Sequence, residues 1–173
     1  SGGTPREFCT ITVTDGIAMG HEGMKSSLVS RDVIADSTEL TVRGHCYDAL
    51  VGVAGCDKSL PGLMMAMLRL NVPSVFIYGG SILPGKFNGK DVTVLDVFEG
   101  VGKYSSGQIS EHALRKLELK ACPSAGACGG QFTANTMACV SEAIGLALPY
   151  SAGTPAPYDQ RDKYALQSGK AVM

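Results

Sequence analysis

The chain has 173 residues, 45% of them hydrophobic, with 15 basic and 16 acidic side chains and a formal net charge of −1. This hydrophobic content excludes a disordered protein, and the balanced charge argues against a nucleic-acid groove or an anionic membrane surface as the main partner. No apolar run approaches the roughly 20 residues that a membrane-spanning helix needs. Glycine accounts for 22 residues and tryptophan is absent, so we expect an aliphatic core and loops whose main chain comes close to a ligand.

Apolar periodicity predicts an alternation of strands and helices along the chain. In chain order these are a strand at 8–14, a helix at 26–43, a strand at 49–54, a helix from Ser59 to about residue 70, a strand at 74–78, and helices at 94–104, 110–120, 133–148 and 161–173. Residues 79–91 and 149–160 are rich in glycine or proline, and we interpret them as a loop and a linker.

Local signals add detail to three of these elements. The continuous apolar run at 49–54 is typical of a strand that is buried on both faces. Ser59 is a suitable cap for the helix that follows, and residues 71–73 should end that helix. The helix at 133–148 carries an apolar stripe that we expect to face the core, made of Met137, Val140, Ile144 and Leu148.

The order of the elements predicts a layered α/β/α fold with a largely parallel sheet, in one domain that covers residues 1–173. Ligands of such sheets bind beyond the carboxyl ends of the strands. Asp15 follows the predicted strand 8–14, and residues 56–58 follow the strand 49–54. This coincidence is the first indication of a functional site.

Cys56, Asp57 and Lys58 lie between a buried strand and a helix N-terminus, a place that stabilises thiolates and carboxylates. A purely structural interpretation is also open, with Asp57 as a helix cap and Cys56 as a small buried side chain. Asp15 is likewise typical of an ordinary turn, but together with Asp57 it would offer the hard oxygen ligands that Mg²⁺ prefers. His21 shares the loop of Asp15 and could reach a ligand.

Six cysteines are too few for a disulfide scaffold, and with no leader-like stretch recognisable we expect thiols in a reducing compartment. Cys128 lies among the glycines at 126, 129 and 130, which would let an inorganic group approach the main chain. A redox disulfide between Cys122 and Cys128 is an alternative, although their spacing matches neither a Cys-x-x-Cys motif nor a zinc site. We expect the remaining three cysteines to be packing residues: Cys9, Cys46 and Cys139.

Three longer motifs occur at residues 14–24 (TDGIAMGHEGM), 55–62 (GCDKSLPG) and 126–137 (GACGGQFTANTM). Together they resemble the dihydroxy-acid dehydratase family, which includes sugar-acid dehydratases. Residues 27–37 and 76–85 are similar to the branched-chain amino-acid enzyme rather than to its sugar-acid relatives. The resemblance runs over essentially the whole chain.

The resemblance implies a hydro-lyase that converts 2,3-dihydroxy carboxylates to 2-keto acids in valine and isoleucine biosynthesis. It implies an iron–sulfur cluster, with the two-iron type favoured over the four-iron type, and Cys56 and Cys128 resemble two of its three cysteine ligands. It also implies a nearby Mg²⁺, whose site Asp15, Asp57 and Lys58 resemble, with a carbamate on the lysine. An iron with an open position would act as a Lewis acid on the leaving hydroxyl, and Mg²⁺ would stabilise the enolate-like charge.

The resemblance further implies parts outside these residues. They are a third cysteine in an upstream Asn-Pro-Cys segment and a following β-barrel domain with another carboxylate ligand and the serine proposed as the base. We therefore expect an N-terminal fragment that is inactive, cluster-free and self-associating by itself, from a parent that is a homodimer. We expect that parent to be cytoplasmic in a bacterium and mitochondrial or plastid in a eukaryote. The alternatives are a fragment of a sugar-acid dehydratase and a non-enzymatic thiol redox or binding module that uses Cys122 and Cys128.

Overall fold

The computed structural model describes residues 2–173, and within that range the chain forms helices and strands in alternation. In chain order the elements are α1 (Asp15–Ala18), α2 (Met24–Gly44), β1 (Leu50–Ala54), α3 (Ser59–Leu70), β2 (Ser74–Tyr78), β3 (Gly85–Phe87), β4 (Lys90–Val92), α4 (Val94–Ser105), α5 (Glu111–Ala121), α6 (Thr133–Ala143) and α7 (Gln160–Ala171). No helix among these residues is both long and apolar enough to cross a bilayer.

Strands β1 and β2 form a parallel pair whose register runs from Leu50 opposite Ser74 to Ala54 opposite Tyr78. Two parallel neighbours need a crossover connection, and α3 supplies it. The carboxyl ends of both strands therefore reach the same edge of the sheet. The α/β fold class predicted from the sequence is confirmed.

The main core lies between α3, α2 and the parallel strands, and it is built from aliphatic, methionine and aromatic side chains. Leu60 on α3 is fully buried, and Phe76 and Tyr78 on β2 are each 1% exposed. Gly52 makes room for Met67, because a Cβ atom at Gly52 would lie 2.5 Å from the terminal methyl group of that methionine. The unbranched methionines of α3 thus fill space that strand β1 leaves open.

A second, smaller unit consists of α4, α5 and the antiparallel hairpin β3–β4. Asn88 and Gly89 connect the two strands, and both have positive φ angles, 50° and 76°. Such angles are typical of the two-residue turn that an Asn-Gly pair favours in hairpins. Gly85 passes so close to the end of α5 that a Cβ atom there would overlap the carbonyl oxygen of Lys120.

Three expectations about strands were wrong. Residues 8–14 form no strand, because they pair with no other strand in the described chain, and the Thr10 side chain instead hydrogen-bonds to Ser37 at 2.6 Å. Residues 79–91 are not a plain loop, since they contain the hairpin. Strand β1 is buried on one face only, because Val51 and Val53 are exposed.

The longer helices follow the predicted ranges with three corrections, and the short helix α1 was not predicted. Helix α6 ends at Ala143, five residues early, because Gly145 takes a φ of 79°. Val140 and Ile144 of the expected stripe are exposed, and the helix buries Ala134 and Ala138 instead. Ser59 is not the cap of α3; it is the first helical residue after Lys58.

Candidate functional site

The loops that follow β1 and β2 meet the loop that precedes α6. A Cβ atom at Gly55 would lie 2.9 Å from the Cβ atom of Ala127 and one at Gly79 would lie 3.6 Å from it, so all three loops touch. The amide of Gly79 donates to the carbonyl oxygen of Ala54 at 2.8 Å, which extends the β1–β2 pairing into the loops. The residues just before Cys56 and just before Cys128 are thereby in contact.

Cys56 is partly exposed, and its main chain is held by the first residues of α3. The Ser59 hydroxyl accepts from the Cys56 amide at 3.2 Å and donates to the Cys56 carbonyl oxygen at 2.8 Å. The Ser59 side chain therefore fixes the loop rather than capping the helix. The arrangement occupies the peptide groups of Cys56 and leaves its thiol free.

Cys128 is also partly exposed, and main-chain hydrogen bonds attach it to the loop after β2. The Ala127 amide donates to the Gly80 carbonyl oxygen at 2.8 Å, and the Ile82 amide donates to the Cys128 carbonyl oxygen at 2.9 Å. Only glycine fits at position 126, because φ is 155° there and a Cβ atom would lie 2.6 Å from the Ile82 nitrogen.

Segment 80–82 is held from its other side as well. The amide of Ala156 donates to the carbonyl oxygen of Ser81 at 2.9 Å, and Ser81 forms isolated bridges with both Cys128 and Pro155. A cleft of about 250 Å³ opens beside Cys128, and Ser81, Asn135 and the glycines at 129 and 130 line part of it. Free volume thus lies beside the glycines that follow Cys128 in the chain.

Asp15, Asp57 and Lys58 form a compact group of charges. The Lys58 Nζ atom lies 3.5 Å from Asp15 Oδ2 and makes an ion pair with Asp57 as well. All three side chains are largely buried, with exposed fractions of 12% to 17%. The hydroxyl of Ser27, which is fully buried in α2, donates to Asp15 Oδ1 and orients that carboxylate.

This environment changes the pKa values of the ion pair. Burial by itself opposes a charged Asp57, but the hydrogen bond from Lys58 and the nearby side chains of Thr133 and Asp15 outweigh it, so the pKa of Asp57 lies below its ordinary value. Burial also opposes the Lys58 cation, but the two carboxylates outweigh it and raise the pKa of Lys58. The ammonium group of Lys58 thus lies between the two carboxylates.

The other cysteines lie away from this convergence or at its edge. Cys9, Cys46 and Cys139 are exposed, so the expectation that they are packing residues was wrong. Cys122 is exposed too, but it lies close to the Cys128 loop, since a Cβ atom at Gly129 would be 3.0 Å from the Cys122 sulfur. Partial burial of the Cys122 thiol and the charge of Cys128 raise the pKa of that thiol.

His21 does not point to a ligand, because both ring nitrogens have local partners. Nε2 bonds to the carbonyl oxygen of Ile17 at 2.7 Å, and Nδ1 accepts from the Gly23 amide at 3.0 Å. Within residues 2–173 no group of three or more His, Cys, Asp and Glu side chains is arranged to hold a metal ion. Asp15 and Asp57 therefore offer only two such side chains, and a metal between them would take its remaining ligands from other groups.

Sequence reasoning missed four side chains that surround the site: Ser27, Tyr78, Thr133 and Asn135. Tyr78 ends β2, and it is almost fully buried beside the two cysteine loops. No motif distinguishes these residues from core or capping positions. Their one signal is that they lie in segments of the resemblance: Ser27 in 27–37, Tyr78 in 76–85, and Thr133 and Asn135 in 126–137.

Comparisons with known proteins bear on the whole chain. A family model described as dihydroxy-acid/6-phosphogluconate dehydratase N-terminal matches residues 1–173. The dihydroxy-acid dehydratase of Pelagibacter ubique is 87% identical over 173 residues, which cover 100% of this chain and 30% of that protein. The one from Parvibaculum lavamentivorans is 80% identical over 171 residues, covering 99% and 30%. The one from Sulfurisphaera tokodaii is 57% identical over 172 residues, covering 99% and 31%. The chain thus spans about 30% of the length of the curated relatives it matches.

Proposed function

The chain belongs to the dihydroxy-acid/6-phosphogluconate dehydratase family, and on that premise we propose that it carries the metal-binding part of a dihydroxy-acid dehydratase. The whole protein would remove water from a 2,3-dihydroxy carboxylate and release a 2-keto acid, in valine and isoleucine biosynthesis. We further propose a cytoplasmic location, where reduced thiols persist.

One observation carries this proposal: the three loops bring two free thiols and an acidic pair with a lysine to one edge of the sheet. Gly55 and Ala127 touch directly before Cys56 and Cys128, respectively. Asp57 and Lys58 follow Cys56 directly in the chain, and Lys58 reaches across to Asp15. The combination supports the proposal, because soft thiolates suit iron and hard carboxylates suit Mg²⁺.

The chemistry of the two thiols fits an iron–sulfur cluster. Both are free and partly exposed, and Gly129 and Gly130, which follow Cys128 in the chain, line a cleft of about 250 Å³. The buried hydroxyl of Tyr78 has no hydrogen-bond partner among the described residues, as expected beside a group that accepts one. Cys56 and Cys128 would hold the cluster, and a third cysteine from outside the 173 residues completes the proposed set.

The charge group fits Mg²⁺ once Lys58 changes its charge. The carboxylates of Asp15 and Asp57 already share one cation, the Lys58 ammonium. A carbamate on Lys58 would replace that cation by anionic oxygen atoms and leave the two carboxylates to a divalent ion. Asp15, Asp57 and carbamylated Lys58 are therefore the proposed Mg²⁺ ligands.

When bound, the cluster supplies Lewis acidity towards a leaving hydroxyl, and Mg²⁺ supplies positive charge for an enolate-like oxygen. The residues of this chain prepare the site for that chemistry. Ser27 fixes one carboxylate through its hydroxyl, and the low exposure of Asp15, Asp57 and Lys58 keeps bulk water from screening their charges. The glycines at 129 and 130 leave the main chain of the cleft open to a small carboxylate substrate.

Serine variants of the cysteines test the proposal in the whole dehydratase that contains this chain. After anaerobic purification, iron and sulfide content and dehydratase activity are measured for Cys56→Ser and Cys128→Ser. We expect each variant to lose most of its iron and all of its activity, because a serine hydroxyl is a poor ligand for iron.

The matched controls are Cys46→Ser and Cys139→Ser, which change exposed thiols outside the convergence and should keep full iron content. Cys122→Ser separates the thiol-module alternative from the dehydratase, and we expect it to keep its iron. Full iron content in the double variant of Cys56 and Cys128 would contradict the proposal.

Substrate preference is tested with the same unmodified protein. We expect turnover of 2,3-dihydroxyisovalerate to exceed that of aldonic acids, because the relatives reported above are named dihydroxy-acid dehydratases. Faster dehydration of the aldonic acids would instead support the sugar-acid alternative.

A further inference from the structure

The hydroxyl of Tyr78 is a buried polar group that finds no partner among the described residues. The residue is 1% exposed, and within residues 2–173 its hydroxyl makes no hydrogen bond that meets distance and angle limits. Buried hydroxyl groups in folded proteins nearly always find a partner, so an orphan at a site of this kind calls for an acceptor.

The position of Tyr78 brings its ring to the two cysteine loops. It pairs with Ala54 at the end of the parallel sheet, two residues before Cys56. Two residues after Tyr78, the carbonyl oxygen of Gly80 accepts from the Ala127 amide at 2.8 Å. Cys128 packs against the core cluster that contains Tyr78.

The polar groups nearest the hydroxyl identify the missing acceptor. Burial raises the pKa of Tyr78 to about 12, and the charges of Cys128 and, less strongly, Cys56 act in the same direction, whereas Arg161 and Asn135 act against it. Asn135 Nδ2 is already used by the carbonyl oxygen of Ala152 at 2.9 Å, and Arg161 Nη1 by that of Ser151 at 2.7 Å. Cys128 packs against the core cluster that contains Tyr78, and its loop is bonded to Gly80, so its sulfur is the acceptor that a bound cluster would make anionic.

We propose that Tyr78 is a positioning residue whose hydroxyl donates a hydrogen bond to the sulfur of Cys128 when that sulfur is a thiolate ligand of iron. This inference rests on the proposed function. A hydrogen bond to a ligand sulfur stabilises the more negative, reduced cluster, and it therefore raises the reduction potential. Removing the donor should make the cluster harder to reduce.

The test compares Tyr78→Phe with the control Tyr104→Phe in the whole dehydratase, purified anaerobically with its cluster. Tyr104 lies on α4 and is 44% exposed. Redox titration followed by electron paramagnetic resonance gives the potential. For Tyr78→Phe we expect the ratio of oxidised to reduced cluster at a fixed solution potential to rise about tenfold. For a one-electron couple this corresponds to a reduction potential about 59 mV lower. The control should keep the original potential.

A second measurement uses the cluster-free proteins. If the hydroxyl has no protein partner, Tyr78→Phe leaves the unfolding midpoint of the cluster-free protein unchanged or raises it, while the loaded variant loses iron to a chelator faster than the unaltered protein. A lower midpoint in the cluster-free variant would assign the hydroxyl to a protein acceptor such as Asn135 and overturn the inference.

The outcomes separate the two proposals. An unchanged potential in a cluster-loaded Tyr78→Phe protein overturns the role of Tyr78 and leaves the dehydratase proposal standing. An unaltered protein that contains neither iron nor sulfide after anaerobic purification overturns both.

Discussion

A Cβ atom at Gly55 would lie 2.9 Å from the Cβ atom of Ala127, although the two residues are far apart in the chain. Contacts this close are almost unknown between real Cβ atoms, so position 55 leaves room for a hydrogen atom only. Because Gly55 precedes Cys56 and Ala127 precedes Cys128, the missing side chain sets how closely the two cysteine loops approach each other.

Gly55→Ala should therefore damage both the fold and the site. The added methyl group must push the loops apart, and we expect a loss of about 1–3 kcal/mol in the free energy of unfolding, as for other overpacked positions. Urea unfolding of the chain measures this loss, and iron content of the whole dehydratase should fall in parallel.

The matched control for that change is Gly102→Ala. Gly102 lies inside α4, and a Cβ atom there would meet nothing within 4 Å. We expect this variant to gain about 0.5–1 kcal/mol, since alanine is the better helix former. Equal stability of the Gly55 and Gly102 variants would show that the loop contact is not tight.

Ser27→Ala should weaken Mg²⁺ binding without removing a ligand. The buried hydroxyl of Ser27 donates to Asp15, and losing such an orienting partner typically costs ten- to a hundredfold in metal affinity. Calorimetric titration of the whole dehydratase with Mg²⁺ measures the change. Ser26→Ala, one residue earlier on the exposed side of α2, should bind as before; similar affinities of the two variants would remove Ser27 from the site.

Tyr78 should titrate at a higher pH than an ordinary tyrosine. Burial raises its pKa from 10.0 to about 12. In the cluster-free chain we expect one tyrosine absorbance step near pH 12 that is missing in Tyr78→Phe. The pKa of Tyr78 is higher in the folded chain than in the unfolded chain, so its contribution to the free energy of unfolding is complete below pH 10. That contribution is lost as the pH rises from 10 to about 12. If all tyrosines of the folded chain titrate together near pH 10, the burial of this ring is wrong.

Thr93→Ala should lower stability and leave the metals in place. The Thr93 hydroxyl accepts from the Leu95 amide at 3.3 Å, and Asp96 Oδ2 accepts from the Thr93 amide at 2.7 Å. Thr93 and Asp96 thus form a capping box at the N-terminus of α4. We expect a loss of about 1 kcal/mol in the free energy of unfolding. Thr93→Ser keeps the hydroxyl and should have the stability of the unaltered protein. Loss of iron in Thr93→Ala would mean that α4 supports the site.

Elements with strong local signals were predicted well from the sequence. Helix α2 and strand β2 occur where apolar spacing placed them, and α3 ends at Leu70, just before Asn71, which takes a left-handed conformation with a φ of 53°. In these cases the local preference and the packing agree, so the tertiary structure had nothing to override.

The failures have two different causes. The Asn88-Gly89 turn is a strong hairpin signal that was available and overlooked within a glycine-rich stretch. Residues 8–14 have the composition of a strand, but a strand needs a neighbour, and no sequence pattern shows that these residues lie beside α2 instead.

The residues of the candidate site also fall into those that the sequence could predict and those that it could not. Asp15, residues 56–58 and Cys128 could be named because they lie in long motifs. The buried hydroxyls of Ser27 and Tyr78 could not, because their importance comes from residues distant in the chain that the fold brings next to them. Orientation of a ligand is a tertiary property, and serine or tyrosine in an apolar element carries no mark of it.

Ser81 has a consequence for redesign. Its links to Cys128 on one side and to Pro155 and Ala156 on the other run through main-chain atoms, while its side chain borders the cleft. The serine side chain can therefore be exchanged without releasing the backbone that positions the cysteine. In the proposed dehydratase, libraries that vary position 81 would test whether this side chain affects which hydroxy acid is accepted, with Cys128 and its main-chain contacts unchanged.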